Sequence, residues 1–171
     1  LLVNPKPKIK QYASNIGFAR LLGRKTNIVP LALPYLAALT PDDWDIRLID
    51  EEIEAIPESL RPDLVGITAI ATNVGRGFEL ADWFRARGIP VVMGGPYVSV
   101  CDDEALEHAD SVMIGEGDLT WPDMLADFRA GKLQRRYLST GFVEYRTAPL
   151  PRWDLIPAGQ MAAIPVQASR G

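Results

Sequence analysis

Five short apolar runs recur along this chain, and helix-patterned or turn-rich segments separate them. The runs are Leu1 to Val3, Ile46 to Ile49, "LVGIT" at 64–68, "IPVVM" at 89–93 and "SVMI" at 111–114. Most are continuously apolar rather than alternating. A strand reads that way when both of its faces are covered, as in a parallel sheet held between two helical layers.

The intervening segments agree. "VPLALPYLAALT" predicts a helix over 31–39, although Pro34 is an unfavourable residue inside it. Gly77, Leu80, Ala81 and Phe84 fall at helical spacing, and Gly88 is placed to end that helix. A short helix is expected over 102–108. Another is expected over 121–130, with Thr120 as its cap, Pro122 in its first turn and Gly131 past its end. Residues 4–26 read as a long polar loop. Strands alternating with helices predict an α/β fold, a Rossmann-like doubly wound five-stranded parallel sheet over residues 1–131. A C-terminal extension over 132–171 differs in character. It reads as two short strands around Gly141, a Pro-rich linker, and a further strand in "MAAIPVQASRG". Both ends read as cut from a longer protein.

In open parallel sheets ligands bind outside the carboxyl ends of the strands. Those ends are Asn4-Pro5, Asp50-Glu51, Thr68-Ala69, Gly94-Gly95-Pro96-Tyr97 and Gly115-Glu116-Gly117. Three of the five are small or glycine-rich. Glycines after strands also serve simply as turns, because glycine takes positive φ without strain. The case for a site rests on small residues at several ends at once.

Composition excludes several functions. The chain has 171 residues, is 47% hydrophobic and 23% charged, and carries a net charge of −4. No basic cluster is present, which argues against a nucleic-acid partner. No apolar run approaches the roughly 18 residues of a membrane span. The start lacks the pattern of a signal peptide. The single cysteine, Cys101, permits no internal disulfide and fits a cytoplasmic location. Other chemistry is sparse. His108 is the sole histidine and suits a surface or capping role. Cys101 has no partner for metal or nucleophile chemistry. Trp44, Trp83, Trp121 and Trp153 suit packing. "GRGFEL" and "GEGDLT" are fragments of the dinucleotide pattern and do not follow the first strand, so a nicotinamide site is disfavoured.

Taken in order, "RPDLVGITAIATNVGRGFELADWFRARGIPVVMGGPYVSV" and "ADSVMIGEGDLTWPDML" resemble the cobalamin-binding domain at the N-terminus of cobalamin-dependent radical S-adenosylmethionine enzymes. "PDLVGIT", "VVMGGP" and "VMIGEGDLTWP" are its most specific pieces, and the resemblance covers about residues 1–130. In such enzymes a linker like "PRWDLIP" leads to a strand and then to "SRGCP", which opens a three-cysteine motif. Here "PVQASRG" stops where that motif would begin.

The resemblance implies cobalamin as ligand. It implies a radical S-adenosylmethionine barrel in the same polypeptide, carrying a 4Fe-4S cluster and S-adenosylmethionine. The longer protein would then be a methyltransferase or a related enzyme. Methionine-synthase-type domains carry Asp-x-His-x-x-Gly after the first strand. Here that loop reads "NPKPKIKQYASNIG", without histidine, which implies base-off cobalamin with no histidine ligand. The corrin would lie across the carboxyl edge of the sheet. Its nucleotide tail would pass Gly94 and Gly95, where side chains would collide with it. A leucine at Gly95 is expected to block the tail and leave the fold intact. Thr68 and Thr72 would offer hydroxyls, and Gly115 and Gly117 would allow close approach. Asn4, Pro5, Asp50, Glu51, Ala69, Pro96, Tyr97 and Glu116 complete the candidate set.

Readings of other classes are a flavodoxin-like flavin-binding module and a ligand-free α/β interaction module. A phosphorelay receiver is disfavoured, because Asn4, Thr68 and Gly115 stand where it needs an acidic pair, an Asp and a Lys.

Overall fold

A computed structural model of the chain describes residues 1–8, 16–141, 148–157 and 159–167. Six strands form one sheet: β1 (Leu2–Asn4), β2 (Leu48–Asp50), β3 (Val65–Thr68), β4 (Val91–Gly94), β5 (Ser111–Ile114) and β6 (Arg136–Leu138). Their order is β2-β1-β3-β4-β5-β6, and every pairing is parallel. The direction of winding reverses at β1, which has β2 on one side and β3 on the other. Ligands of open α/β sheets sit beside such a reversal.

Helices α1 (Ile16–Leu21), α2 (Ala32–Leu39), α3 (Val74–Arg85), α4 (Asp102–His108) and α5 (Gly117–Arg129) connect the strands. They cover the sheet in two layers. On one face α3 and α4 bury Leu80, Ala81, Phe84 and Ala105 against Val3, Ile67, Met93 and Val112. On the other, α2 and α5 bury Leu33, Ala37, Trp121 and Met124 against Leu2, Val92 and Met113. Adjacent residues such as Leu2 and Val3, or Val92 and Met93, therefore enter opposite cores. This is the period-two alternation of a strand, hidden in the sequence because both faces are apolar.

The five expected strands are present, and the sheet gains a sixth. Only Tyr137 of β6 is buried, between two exposed residues. A three-residue edge strand with one inward side chain leaves almost no periodic signal, so it merged into the expected extension. Its pairing with β5 places residues 136–138 in the sheet itself. The second strand expected beyond Gly141 falls at 142–147, outside the described residues. In the last segment Met161 makes an isolated parallel bridge to Thr26, and residues 162–167 form no strand.

Two local expectations are corrected. The loop after β1 contains α1, which buries Ala19 and ends at Gly23 with φ +69°. Helix α5 begins at Gly117, four residues before the expected start. Thr120 is consequently inside the helix rather than its cap, and its hydroxyl donates to the Glu116 carbonyl at 3.2 Å. Pro122 is also interior, where it lacks the N–H that would serve the Asp118 carbonyl. The ends of α3 and α5 follow expectation, with Gly88 at φ +72° and Gly131 at φ +67°.

Candidate functional site

A cavity of about 370 Å³ opens at the carboxyl ends of β3, β4 and β5, on the α2/α5 side of the sheet. The strand alternation selects its wall. Gly66 and Thr68 of β3, Val92 and Gly94 of β4, and Met113 of β5 all line it, with Leu2 of β1 at its inner end. Leu33, Tyr35 and Leu36 of α2 and Asp118 and Trp121 of α5 close the opposite side. Two glycines on neighbouring strands make room. At Gly66 a Cβ would stand 3.0 Å from Leu2 and 3.3 Å from the Trp121 ring, so the indole rests directly on the β3 backbone. Trp121 Nε1 donates to Thr40 Oγ1 at 2.9 Å, and that hydroxyl donates to the Leu36 carbonyl at 2.8 Å. The ring is therefore held in orientation. At the cavity's outer part the Tyr35 hydroxyl donates to an Asp118 carboxylate oxygen, joining α2 to the first turn of α5.

The loops around the mouth are tied to one another through backbone. Ala69 N donates to the Gly94 carbonyl at 2.9 Å, and Tyr97 N donates to the Ala69 carbonyl at 3.2 Å. Gly115 N donates to Ser99 Oγ at 3.0 Å, and Ser99 N donates to the Gly95 carbonyl at 3.1 Å. The two glycines of "GGP" differ sharply. Gly95 has φ +102°, and a Cβ there would lie 2.7 Å from the Ala69 carbonyl oxygen. Any side chain would strike the protein's own backbone. The expectation that Gly95 could become leucine with the fold intact is thereby overturned. Gly94 is different, because a Cβ would meet only Met113, at 3.6 Å from its Cβ.

The ends of β1 and β2 form another environment. Asn4 Nδ2 donates to Asp50 Oδ2 at 2.9 Å, and Asn73 Nδ2 donates to Asn4 Oδ1 at 3.2 Å and to the Pro5 carbonyl at 3.1 Å. Asp50 Oδ1 accepts from Glu52 N at 2.8 Å. Arg76 forks onto the Glu51 carboxylate, Nη2 at 2.7 Å from Oε1 and Nε at 3.0 Å from Oε2. Asn4, Asp50 and Asn73 are all buried. Burial pushes the Asp50 carboxyl up to about 6, against the opposing hydrogen bonds from Asn4 and Glu52 N; neighbouring Glu52 and Glu51 add to the rise.

The candidate residues thus divide. Thr68, Gly94, Gly95, Pro96, Gly115, Glu116 and Gly117 line the cavity. Ala69 lies behind Gly95 in the loop brace. Thr72 is half-buried in the turn before α3, and Tyr97 points to Glu104, its hydroxyl donating to Oε2 at 2.7 Å. Asn4, Pro5, Asp50 and Glu51 belong to the polar corner. Sequence reasoning missed Tyr35, Leu36, Ser99, Asp118 and the inner wall of Leu2, Gly66 and Met113. Helix-borne wall residues carry no strand-end signal. Trp121 was read only as packing; it packs, and it also lines the cavity. The other residues of note lie elsewhere. His108 on α4 stacks on Phe78 with centroids 4.2 Å apart, and its Nδ1 is 2.9 Å from Asp82. That places it with α3 and α4, across the sheet from the cavity. Among the described residues no cluster of metal-ligating side chains occurs, and no helix is long and apolar enough to cross a membrane.

The family model of the B12 binding domain matches residues 20–125. Bacteriochlorophyllide d C-8(2)-methyltransferase of Chlorobaculum tepidum is 35% identical over 149 residues, covering 82% of this chain and 33% of that protein. Bacteriochlorophyllide d C-12(1)-methyltransferase of the same organism is 27% identical, covering 84% and 33%. Hopanoid C-2 methylase of Rhodopseudomonas palustris is 26% identical, covering 83% and 28%. The chain spans about a third of the length of these relatives. No solved structure matches. The chain belongs to the B12-binding domain family.

Proposed function

We propose that this member of the B12-binding domain family holds cobalamin at the carboxyl edge of its sheet, as the cofactor-presenting part of a longer methyltransferase. The observation that carries the reading is the cavity between the sheet and α2/α5, open where the small strand ends converge. Its volume is in the range of ligand pockets, about 300–1,000 Å³. Its chemistry fits a nucleotide tail. The inner part is apolar, and the mouth presents Thr68, Ser99 and the backbone of Gly94 and Gly95. Around that edge Ile70, Val100 and Leu119 are exposed apolar residues, each next in sequence to a residue of the mouth or its brace. Such a rim suits the flat, largely apolar face of a corrin.

When bound, cobalamin would supply a cobalt centre able to carry a methyl group. The chain's own residues would bind the tail, orient the ring and shield one of its faces. The protein offers no imidazole there, since His108 is its sole histidine and packs on the far side of the sheet. A cobalamin held here would receive no histidine from this chain, and with its tail drawn into the cavity its own base would lie away from the ring. The relatives named as methyltransferases, together with the "PRWDLIP" segment that resembles the linker of such enzymes, support a radical S-adenosylmethionine barrel with a 4Fe-4S cluster as the partner in the same polypeptide, with the chain after β6 leading toward it.

The test is titration with hydroxocobalamin and, separately, with flavin mononucleotide, followed by desalting and a visible spectrum. Retention of cobalamin alone is expected. Retention of flavin in its place would select the flavodoxin-like alternative, and retention of neither would leave an interaction module.

A further inference from the structure

We propose that the inner end of the cavity gauges the base of the nucleotide tail, admitting an apolar aromatic base as far as Trp121 and disfavouring a purine. The inference rests on the reading above, that the cavity takes this tail. Its own ground is the contrast between mouth and floor. Polar groups cluster at the mouth, where Thr68, Ser99 and Asp118 stand. The floor is Leu2, Leu33, Val92, Met113 and Trp121 around Gly66, all but Gly66 belonging to the buried α2/α5 core. The indole N–H is committed to Thr40, so the floor's side chains have no donor to spare for a base. A purine brings an exocyclic amine and extra ring nitrogens. In this floor they would lose water without gaining partners, whereas a methylated benzimidazole has far less to lose.

Trp121 also sets the depth. A second cavity, of about 380 Å³, opens at the amino edge of the sheet and shares Leu2, Gly66 and Trp121 with the first. The indole is the partition between the two. It leaves no gap beneath itself, because its ring edge would be 3.3 Å from a Cβ at Gly66. Behind it the space is bounded by Thr40, Trp44, Leu60 and Leu64, together with the charged Asp45, Arg47, Arg61 and Asp63. A base longer than the first cavity would have to displace a ring that is packed on one side and hydrogen-bonded on another.

The experiment uses the 171-residue chain and four corrinoids: cobalamin, its adenine-bearing counterpart, a naphthimidazole-bearing counterpart one ring longer, and cobinamide, which lacks the nucleotide. Dissociation constants come from visible-spectrum titration. Cobalamin should bind tightest, with the adenine form about tenfold or more weaker, and the naphthimidazole form and cobinamide weaker too. Trp121→Leu joins the two cavities and should raise affinity for the naphthimidazole form to that for cobalamin, with the adenine form still disfavoured. Trp121→Phe is the milder variant should leucine cost the fold, and the wild-type ranking decides the matter even if both unfold. Equal wild-type affinity for the adenine form and cobalamin would overturn the apolar gauge. Equal wild-type affinity for the naphthimidazole form would overturn the depth stop. Cobinamide binding as tightly as cobalamin, or retention of no corrinoid, would instead sink the reading of the cavity on which this inference stands.

Discussion

The strand ends on the two sides of the β1/β3 reversal share one edge of one sheet, yet they are built on opposite plans. At β3, β4 and β5 the residues are small, and their shortage of side chains leaves a cavity. At β1 and β2 the side chains are polar, and they satisfy one another: Asn4 with Asp50 and Asn73, Glu51 with Arg76. A buried polar group must find a partner or be left unpaired at a cost. The corner finds its partners within the chain, so it braces. The glycine side has few side-chain groups to satisfy and keeps its space for something else. Position at a strand's carboxyl end is therefore not enough to leave a cavity; what matters is whether the chain fills the space itself.

The largest effect that could break this contrast belongs to Gly95. Gly95→Ala should lower the unfolding free energy by roughly 3 kcal/mol, combining positive-φ strain with overpacking against Ala69. Chemical denaturation measures it, and a midpoint equal to wild type would show that the brace is not as described. Gly94→Leu sharpens the comparison, because its Cβ meets only an ordinary contact with Met113. Its stability should stay within about 1 kcal/mol of wild type. Its affinity for cobalamin should fall at least tenfold, since the side chain enters the cavity. A folded Gly94→Leu protein with undiminished affinity would remove the tail from this place.

The corner is tested by pH. Asp50 titrates at about 6 in the fold, against about 3.9 when unfolded. The folded state therefore binds the proton more tightly. The contribution of Asp50 is most favourable below about pH 4, declines as pH rises toward 6, and is then constant, a total loss of about 2–3 kcal/mol. Asp50→Asn should flatten this decline, read as the wild-type minus variant difference in unfolding free energy between pH 4 and 7. A difference that does not change with pH would mean that Asp50 is not buried as the network requires. The smallest effect is expected at His108. Electron paramagnetic resonance of the cob(II)alamin-loaded chain should show no axial nitrogen splitting, and His108→Ala should leave the spectrum unchanged. Splitting that vanishes in the variant would place the imidazole on the cavity side of the sheet.

Apolar runs alternating with helical periodicity pointed to the α/β parallel sheet, because a strand covered on both faces reads as a continuous apolar run and the helices between the runs supply the cover. Helix ends at Gly88 and Gly131 were equally legible, since only glycine takes the required backbone angle without strain. The strand-end rule drew attention to the edge at which the cavity opens. Tertiary structure alone decided which strand ends enclose space, because pairing between Asn4, Asp50 and Asn73 joins residues 46 and 69 positions apart. It alone made Gly95 indispensable to the backbone and Gly94 open to the cavity, although the two are neighbours in one dipeptide. It also turned Trp121 from a core residue into a wall, because only the folded chain lays α5 across Gly66. Local pattern reports the propensities of one segment. Who fills a space is settled by segments that meet only when the chain is folded.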